Sequence, residues 1–291
     1  MLLCNVNGVE REYTVPVSLR AQKVSTVQSQ ITITLNASCL LQPPKRGAAP
    51  VGLMDIPEFV SQEFGLRGLQ VPVELIRGRT LREMEDLRHS ADKAGCPVLV
   101  LSQDDPVDLG GGTDGGDGVA RIAALSSAAR HLGCGHVAIR TTVSPERLDA
   151  VIANAKRAID MLRKNDVGLL LRSGQHTMPE PAGLAEVIRR IGGFHIGAMP
   201  SFEDAHASGD LSGAIRLLAP YSHMVEATIV GFGKSGHEKW DLGEAVDALR
   251  GVGYVSLLSI DWRGKKGDWV AMVHKAKSEL LAAIGREEQV A

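Results

Sequence analysis

The chain has 291 residues, with 32 lysines and arginines against 34 aspartates and glutamates, and a formal net charge of -2. This balance, with only 4% aromatic residues, supplies neither the basic surface nor the stacking rings of a nucleic-acid-binding protein, so that class is excluded. No stretch approaches the roughly 20 apolar residues of a membrane span, and no basic segment followed by an apolar core opens the chain. We therefore expect a cytoplasmic protein with no membrane partner.

The first 30 residues differ in pattern from the rest. Two strand-like runs, at 2–6 and 9–17, are joined by Asn7-Gly8, a dipeptide favoured by tight hairpin turns. Residues 1–30 are therefore predicted to form a β-hairpin extension. Because an isolated hairpin is only marginally stable in water, it must pack either on the floor of the following domain or on another subunit. The sequence leaves both possibilities open.

From Ile31 onward, eight short apolar runs alternate with helix-patterned segments. The runs are rich in Val, Ile and Leu, which is typical of parallel strands buried on both faces. Eight repeats predict an α/β fold, a (β/α)8 TIM barrel over 31–291, since such barrels typically have about 250 residues. In this architecture the functional site lies at the carboxyl ends of the strands. The predicted strands cover residues 31–37, 66–75, 97–103, 136–142, 168–173, 194–200, 223–232 and 255–263.

Start signals mark several helices between these strands. Thr80 with Glu83, and Asp241 with Glu244, have the spacing of a capping box, in which the first side chain caps the helix and the second bonds back. The last helix is predicted to begin near Asp268. These signals fix where each helix leaves the preceding loop.

The cysteines form no CxxC pair, so they predict neither a zinc knuckle nor a disulfide framework. We expect buried, reduced thiols. The four residues are Cys4, Cys39, Cys96 and Cys134.

The glycine-rich segment 109–118 follows the third predicted strand and precedes a helix, as a phosphate-binding loop does. It lacks the GxxxxGK[ST] pattern, and Asp114 and Asp117 would repel a phosphate. We predict a mobile loop on the pocket side of the barrel.

The sequences of six segments of the barrel match those of one family in order and spacing. They are 55–60 (DIPEFV), 64–69 (FGLRGL), 87–95 (LRHSADKAG), 131–140 (HLGCGHVAIR), 219–223 (APYSH) and 258–264 (LSIDWRG). On these segments the chain resembles the xylose-isomerase-like TIM barrels, the sugar and sugar-phosphate isomerases and epimerases related to endonuclease IV. The resemblance covers nearly the whole barrel and implies the same fold.

Members of that family usually hold a divalent metal with glutamate, aspartate, histidine and glutamate from strands five to eight. By the resemblance, Arg172 stands at the strand-five glutamate, Met199 at about the strand-six aspartate and Glu226 at about the strand-seven histidine. Only Asp261 remains an acid where the family has one, and Gln70 stands at the acid of strand two. A guanidinium has no acceptor and cannot bind a hard cation. We therefore expect no cofactor; any metal present would be a divalent ion such as Mn²⁺ or Mg²⁺ near Glu226 and Asp261.

These positions predict a charge-balanced cluster, in which Arg172 takes the place of the cation between Glu226 and Asp261. The three residues, with His176 as a proton shuttle near neutral pH, are the candidate catalytic residues. One alternative is an ion-pair network that only keeps a former pocket folded, because buried pairs are weak evidence of function. Another is a metal site rebuilt from His176, Glu226, Asp261 and His237.

Other polar side chains fall at strand ends, where a barrel builds its ligand pocket. Arg140 and Lys234, with Arg172, would direct three cations to the mouth, which suits a carboxylate, a phosphate or an enediolate oxygen. An ion pair for Arg140 and an ordinary surface loop for His176 and His237 are the structural alternatives. The candidate substrate-binding residues are Gln70, Gln103, Arg140, Gln175, Lys234, His237 and Trp262.

Two functions follow from this pattern. In the first, an isomerase, epimerase or carbon-acid lyase moves a proton next to the carbonyl of a sugar-like small molecule, neutral or anionic, without a metal. Glu226 or Asp261 would be the base, and Arg172 would stabilise the enolate oxygen. In the second, the barrel has lost catalysis and is a ligand-binding or scaffold subunit. The expected partners are the sugar-like ligand and a second copy, by the resemblance, or another subunit bound through the hairpin.

Overall fold

A computed structural model describes residues 2–6, 9–13, 31–43, 49–111, 116–174, 180–234, 236–264 and 268–285. The strands, in chain order, are β1 (Leu2–Val6), β2 (Val9–Tyr13), β3 (Thr32–Asn36), β4 (Leu69–Pro72), β5 (Val98–Gln103), β6 (His136–Arg140), β7 (Gly168–Arg172), β8 (Ile196–Ala198), β9 (Met224–Ile229), β10 (Phe232–Gly233), β11 (Gly236–His237) and β12 (Leu257–Trp262).

The helices surround the sheet, and none in the described ranges is long and apolar enough to cross a membrane. They are α1 (Ile56–Phe64), α2 (Val73–Ile76), α3 (Leu81–Lys93), α4 (Gly116–Leu132), α5 (Leu148–Arg163), α6 (Pro181–Ile191), α7 (Phe202–Ala207), α8 (Leu211–Leu218), α9 (Leu242–Gly251) and α10 (Trp269–Ile284).

Eight parallel strands form a closed barrel, in the order β8, β7, β6, β5, β4, β3, β12, β9. Its two edge strands meet through parallel bridges from Ala198 to Ser222 and from Ser201 to Glu226. The amide of Glu226 also donates to the carbonyl oxygen of Pro200 at 2.9 Å. The predicted (β/α)8 TIM barrel is confirmed.

The N-terminal hairpin is also confirmed as a pair of antiparallel strands. Leu2 lies opposite Tyr13 and Val6 opposite Val9. The surface on which residues 1–30 pack, and the domain boundary after residue 30, stay predictions.

Each of the eight predicted runs contains one barrel strand, and two of them need correction. The run 66–75 contains only the four residues of β4, because the chain turns after Pro72 directly into α2. The run 223–232 ends as β9 at Ile229, and Phe232 pairs with His237 in a separate hairpin. Apolar composition alone does not distinguish the end of a strand from the buried turn that follows it.

The helix starts follow the predicted signals, with one exception. Thr80 and Glu83 form a capping box: the Thr80 hydroxyl accepts from the Glu83 amide at 3.2 Å, and the Glu83 carboxylate accepts from the Thr80 amide at 2.8 Å. Asp241 caps α9, but Glu244 accepts from the Ser212 hydroxyl at 2.7 Å instead of bonding back, so the predicted second box does not form. The start of the last helix is confirmed, with Asp268 as its cap.

Two apolar clusters fill the described part of the molecule. The larger lies between sheet and helices. The smaller consists of Val100, Ala138, Leu170, Met199 and Met224, which belong to β5, β6, β7, the residue after β8, and β9, so it fills the interior of the barrel.

Three cysteines are buried thiols, as expected, and the side chain of Cys4 lies outside the described residues. Burial raises the pKa of Cys96 to about 11 and that of Cys134 to about 12, so both are protonated at neutral pH. Segment 109–118 leads into α4 as predicted; the mobility expected of the whole segment stays a prediction, because 112–115 lie outside the described residues.

Candidate functional site

The strand register places a layer of polar residues above the apolar plug. Ser259 of β12 lies opposite both Thr34 of β3 and Glu226 of β9, and Arg140 of β6 lies opposite Arg172 of β7. Since alternate residues of a strand face the same side, Asp261 lies inward like Ser259, one step nearer the mouth. Side chains from distant parts of the sequence therefore meet inside the barrel.

Arg172 occupies the centre of this layer. Its side chain and that of Glu226 are each 1% exposed, and its Nη2 donates to Glu226 Oε2 at 2.6 Å. Its Nη1 donates to Asp104 Oδ1. One buried guanidinium thus joins a carboxylate of β9 to one that directly follows β5, and charged hydrogen bonds of this kind are the stronger ones in proteins.

Arg263 makes the equivalent connection on the other side of Asp104. Its Nη2 donates to Asp104 Oδ2 at 3.2 Å, and its Nε donates to Asp261 Oδ2 at 2.7 Å. Asn36 links the two ends of this series of contacts. Its Nδ2 donates to Asp261 Oδ1 at 3.0 Å and to Glu226 Oε1 at 3.5 Å. We call this set the polar ring; in order its members are Glu226, Arg172, Asp104, Arg263, Asp261 and Asn36.

The polar ring contains three acids and two guanidinium groups, so its net charge is -1 when all are ionised and zero when one acid is protonated. Burial, followed by the charge of Glu226, raises the pKa of Asp261 to about 6, although Arg263 opposes the shift. Burial acts to raise the pKa of Asp104 as well, but Arg172 and Arg263 outweigh it and lower that pKa to about 2. Asp261 therefore changes charge nearer to neutral pH than Asp104 does.

Further donors surround the two buried acids. Gln70 Nε2 donates to Glu226 Oε1 at 2.7 Å and to the Ser102 hydroxyl at 3.1 Å, and Ser38 Oγ donates to Asp261 Oδ1 at 3.4 Å. Every carboxylate oxygen of the polar ring thus accepts at least one hydrogen bond.

Several buried polar atoms of the same layer have no protein partner within the described ranges. They include Arg172 Nε, Gln70 Oε1 and the hydroxyl oxygens of Thr34, Thr228 and Ser259. An unpaired buried polar group costs about 1–3 kcal/mol, so we expect water or a ligand atom to bond here.

Arg140, a predicted ligand-binding cation, is already engaged. Its Nη1 donates to the carbonyl oxygen of Ser173 and lies 3.5 Å from Asp204 Oδ2. Asp204 is in turn held by the Ser201 hydroxyl at 2.8 Å. Arg140 thus contacts an acid of α7 rather than a carboxylate of a neighbouring strand, and its role in ligand binding stays a prediction.

The structure does not bring all the candidate residues to the mouth. Gln103 is buried and donates to the carbonyl oxygen of Asp105 at 3.1 Å, which supports the loop that carries Asp104. Trp262 belongs to the sheet–helix core, and a Cβ at Gly264 would lie 2.1 Å from its ring, so the backbone covers it.

Two further candidates belong to the loop after β9. Lys234 is exposed there. The His237 ring packs on Trp240 with centroids 4.4 Å apart and accepts from the Val230 amide at 3.1 Å, so it orders the loop. Gln175 and His176 lie outside the described residues, and their roles stay predictions.

Three members of the polar ring were absent from the sequence candidates: Asn36, Asp104 and Arg263. Asn36 is the last residue of β3, and the other two directly follow β5 and β12. The signal that identifies them is their position, since polar residues at the carboxyl ends of barrel strands line the site.

The resemblance implies a divalent metal, and the residues present do not fit one. Hard cations take several carboxylate oxygens at one point, whereas here the carboxylate oxygens of Glu226 and Asp261 already accept hydrogen bonds from guanidinium and amide donors. Across the described residues, no group of three or more His, Cys, Asp and Glu side chains is placed to hold a metal ion. The positive charge at this position is supplied by Arg172.

No family model and no curated protein matches the chain. Solved structures share its fold. The structure of L-ribulose 3-epimerase is 16% identical and has a TM-score of 0.72, with 90% of this chain and 100% of that chain covered. A xylose isomerase domain protein from Planctomyces limnophilus is 17% identical with a TM-score of 0.64, covering 88% and 98%.

The IOLI protein with a binding zinc atom is 12% identical with a TM-score of 0.69, covering 89% of this chain and 100% of that chain. At such identities the likeness establishes the fold. The resemblance to the xylose-isomerase-like TIM barrels is confirmed at that level.

Proposed function

We propose that this barrel is a sugar isomerase or epimerase that transfers a proton next to a carbonyl without a metal ion. One observation carries the proposal: the buried acids Glu226 and Asp261 are bridged by Asn36, and each is paired with its own guanidinium at the barrel mouth. Enolisation needs a base that takes the proton and a positive charge beside the oxygen that becomes negative. The buried acids can supply the base, and the guanidinium groups supply the positive charge.

Asp261 is the proposed base. A general base works best when its pKa lies near the working pH, and burial raises the pKa of Asp261 to about 6. The carboxylate takes a proton from the carbon next to the carbonyl; the electron pair of the broken C–H bond forms a C=C bond, and the π pair of the carbonyl moves to its oxygen. Returning the proton to the other face of that carbon gives epimerisation. Returning it to the former carbonyl carbon, with the proton of the neighbouring hydroxyl passing to the former carbonyl oxygen, gives isomerisation.

Arg172 is proposed to stabilise the oxygen that becomes negative. Its guanidinium stays charged, because Glu226 and Asp104 outweigh the burial that would lower its pKa. Since the group is 1% exposed and held by two carboxylates, its N–H groups need little rearrangement when the enolate forms. Glu226 holds the guanidinium in position through the ion pair between Arg172 Nη2 and Glu226 Oε2.

The solved structures of the same fold support a sugar-like substrate. They include L-ribulose 3-epimerase and 3-keto-D-glucoside 4-epimerase, the latter 13% identical with a TM-score of 0.65. Both names denote inversion at a sugar carbon, the class of reaction proposed here.

The test is exchange of carbon-bound hydrogen with solvent. Purified protein is incubated in D₂O with a panel of ketoses, 3-keto-glycosides and keto sugar acids, and deuterium at carbon is followed by NMR. We expect incorporation by the wild type and a loss of about 10²–10⁴-fold in Asp261→Asn, the usual contribution of a general base. Asp105→Asn is the matched control, because its carboxylate is exposed and pairs with Arg77 and Arg121 outside the polar ring.

A second candidate function, a non-catalytic ligand-binding subunit, is favoured by the saturation of the ring: every carboxylate oxygen already accepts a hydrogen bond. Calorimetric binding of a panel compound with no exchange in the wild type would support this candidate and contradict the enzyme. Exchange that is lost in Asp261→Asn and retained in Asp105→Asn would support the enzyme and contradict the non-catalytic subunit.

A further inference from the structure

Asp104 differs from the other acids of the polar ring. Glu226 and Asp261 lie on strands and are almost fully buried, whereas Asp104 follows β5 and its side chain is 42% exposed. It is nevertheless the acid on which both guanidinium groups converge, with Arg172 on one oxygen and Arg263 on the other. A carboxylate that solvent can reach therefore occupies a two-arginine clamp at the mouth.

The backbone beside Asp104 is held in place. The Val107 amide donates to the carbonyl oxygen of Arg140 at 2.8 Å, and Gln103 and Arg121 donate to the carbonyl oxygens of Asp105 and Pro106. Because this backbone is held, a departure of the carboxylate from the clamp has to occur by side-chain rotation toward solvent. The clamp would then present one N–H group from each arginine to a ligand.

We propose that Asp104 holds the place of a substrate carboxylate and that the substrate is a 2-keto sugar acid. This inference rests on the proposed function and names its substrate class. The ligand presents its carboxylate and the adjacent keto oxygen to the clamp, the carboxylate on Arg263 and the keto oxygen on Arg172. On binding, Asp104 turns to solvent.

Charge balance favours this ligand over a neutral sugar or a phosphate. In this pose the ligand carboxylate replaces Asp104 on Arg263, so Arg263 keeps two acidic partners and the charge at the clamp is unchanged, while the keto oxygen takes the place of Asp104 on Arg172. A neutral sugar would remove one negative charge from the clamp and leave Arg263 with Asp261 alone. A phosphate dianion would bring a second negative charge beside the buried Glu226. Guanidinium groups also match the planar two-oxygen geometry of a carboxylate.

The chemistry of such a substrate fits the same residues. The carbon on the far side of the keto group from the carboxylate gives its proton to Asp261, and the electron pair moves to the keto oxygen facing Arg172. The proton returns to that carbon, so atoms and charge balance without a further reactant. The carboxylate itself is unchanged and serves to position the molecule.

The test uses two probes that differ only at the first carbon, 2-keto-D-gluconate and D-fructose, titrated calorimetrically into the full chain at low salt. We expect the wild type to bind 2-keto-D-gluconate at least tenfold more tightly than D-fructose. Asp104→Asn removes the carboxylate that competes with the ligand for the two arginines but keeps a side chain of the same shape. It should tighten binding of 2-keto-D-gluconate about tenfold and leave binding of D-fructose unchanged. Asp105→Asn should change neither.

Equal affinity for the two probes, or an Asp104→Asn variant that is folded and binds 2-keto-D-gluconate no better than the wild type, would overturn the clamp. If Asp104→Asn does not fold, Arg263→Gln decides the question: we expect it to weaken binding of 2-keto-D-gluconate at least tenfold and to leave D-fructose unchanged, and equal loss for both probes contradicts the proposal.

The clamp and the proposed function can fail separately. Tight, carboxylate-dependent binding with no deuterium incorporation upholds the clamp and counts against proton transfer. Incorporation into D-fructose at a rate equal to that of 2-keto-D-gluconate upholds proton transfer and counts against the clamp.

Discussion

Replacing Arg172 by methionine should destabilise the barrel strongly. The guanidinium is 1% exposed and joins Glu226, itself 1% exposed, to Asp104. Methionine fills similar space with no charge, so the variant keeps the packing and leaves a buried carboxylate without its cation. Removing one partner of a buried ion pair typically costs about 3–5 kcal/mol. We expect a loss of that size in the free energy of unfolding at pH 7.

The second partner can then be removed to test the cause. In the double variant Arg172→Met/Glu226→Gln no buried charge is left unpaired, and Gln70 and Asn36 still have an amide oxygen as acceptor. We expect it to recover most of the loss. The control is Arg189→Met, which breaks a pair with Glu186 whose side chains are 55% and 50% exposed, and should cost less than about 1 kcal/mol.

The assay is urea unfolding followed by both circular dichroism and tryptophan fluorescence, because a chain of this length need not unfold in a single step. A loss below about 1 kcal/mol in Arg172→Met, equal to that of the exposed control, would refute the reasoning. So would a double variant that is less stable than Arg172→Met, since the unpaired acid would then not be the cause.

Further predictions concern pH and the backbone. The pKa of Asp104 is lowered in the folded chain to about 2, so its contribution to stability is present above about pH 4 and is lost as the pH falls toward 2; Asp104→Asn should flatten this acid limb in urea titrations. The pKa of Asp261 is raised to about 6, so its effect has the opposite sign: stability present below about pH 4 is lost as the pH rises through 6, and the stability of Asp261→Asn relative to the wild type should increase over that range. Gly197→Ala should lower the melting temperature, because a Cβ there would lie 2.6 Å from the carbonyl oxygen of Tyr221. Gly183→Ala in α6 should instead stabilise the protein by about 0.5–1 kcal/mol, because a Cβ there would meet nothing within 4 Å. Equal shifts of the melting temperature in the two variants would contradict the packing described.

The fold was predictable because its signals are local and repeated. Eight apolar runs separated by helical patterns specify the barrel, and cap residues such as Thr80 and Asp268 mark helix starts to the residue. Where the prediction failed, as at Glu244, a tertiary contact decided: the Ser212 hydroxyl competes for the carboxylate that would otherwise complete the capping box.

The candidate site was predictable only in its strand residues. Arg172, Glu226 and Asp261 follow from the resemblance, which places each at a ligand position of the family, and the structure brings Arg172 and Glu226 into contact. Asp104 and Arg263 lie one residue beyond a strand, where period-two alternation no longer determines orientation. Their pairing joins positions 159 residues apart, which no local pattern encodes.

The most direct test of the central claim, that Arg172 supplies the positive charge at the barrel mouth, is an anomalous-diffraction map from crystals soaked in Mn²⁺. We predict no manganese peak between Glu226 and Asp261, with Arg172 Nη2 in hydrogen-bond contact with Glu226. A manganese ion coordinated by Glu226 and Asp261, with the Arg172 side chain turned away from both, would contradict the account.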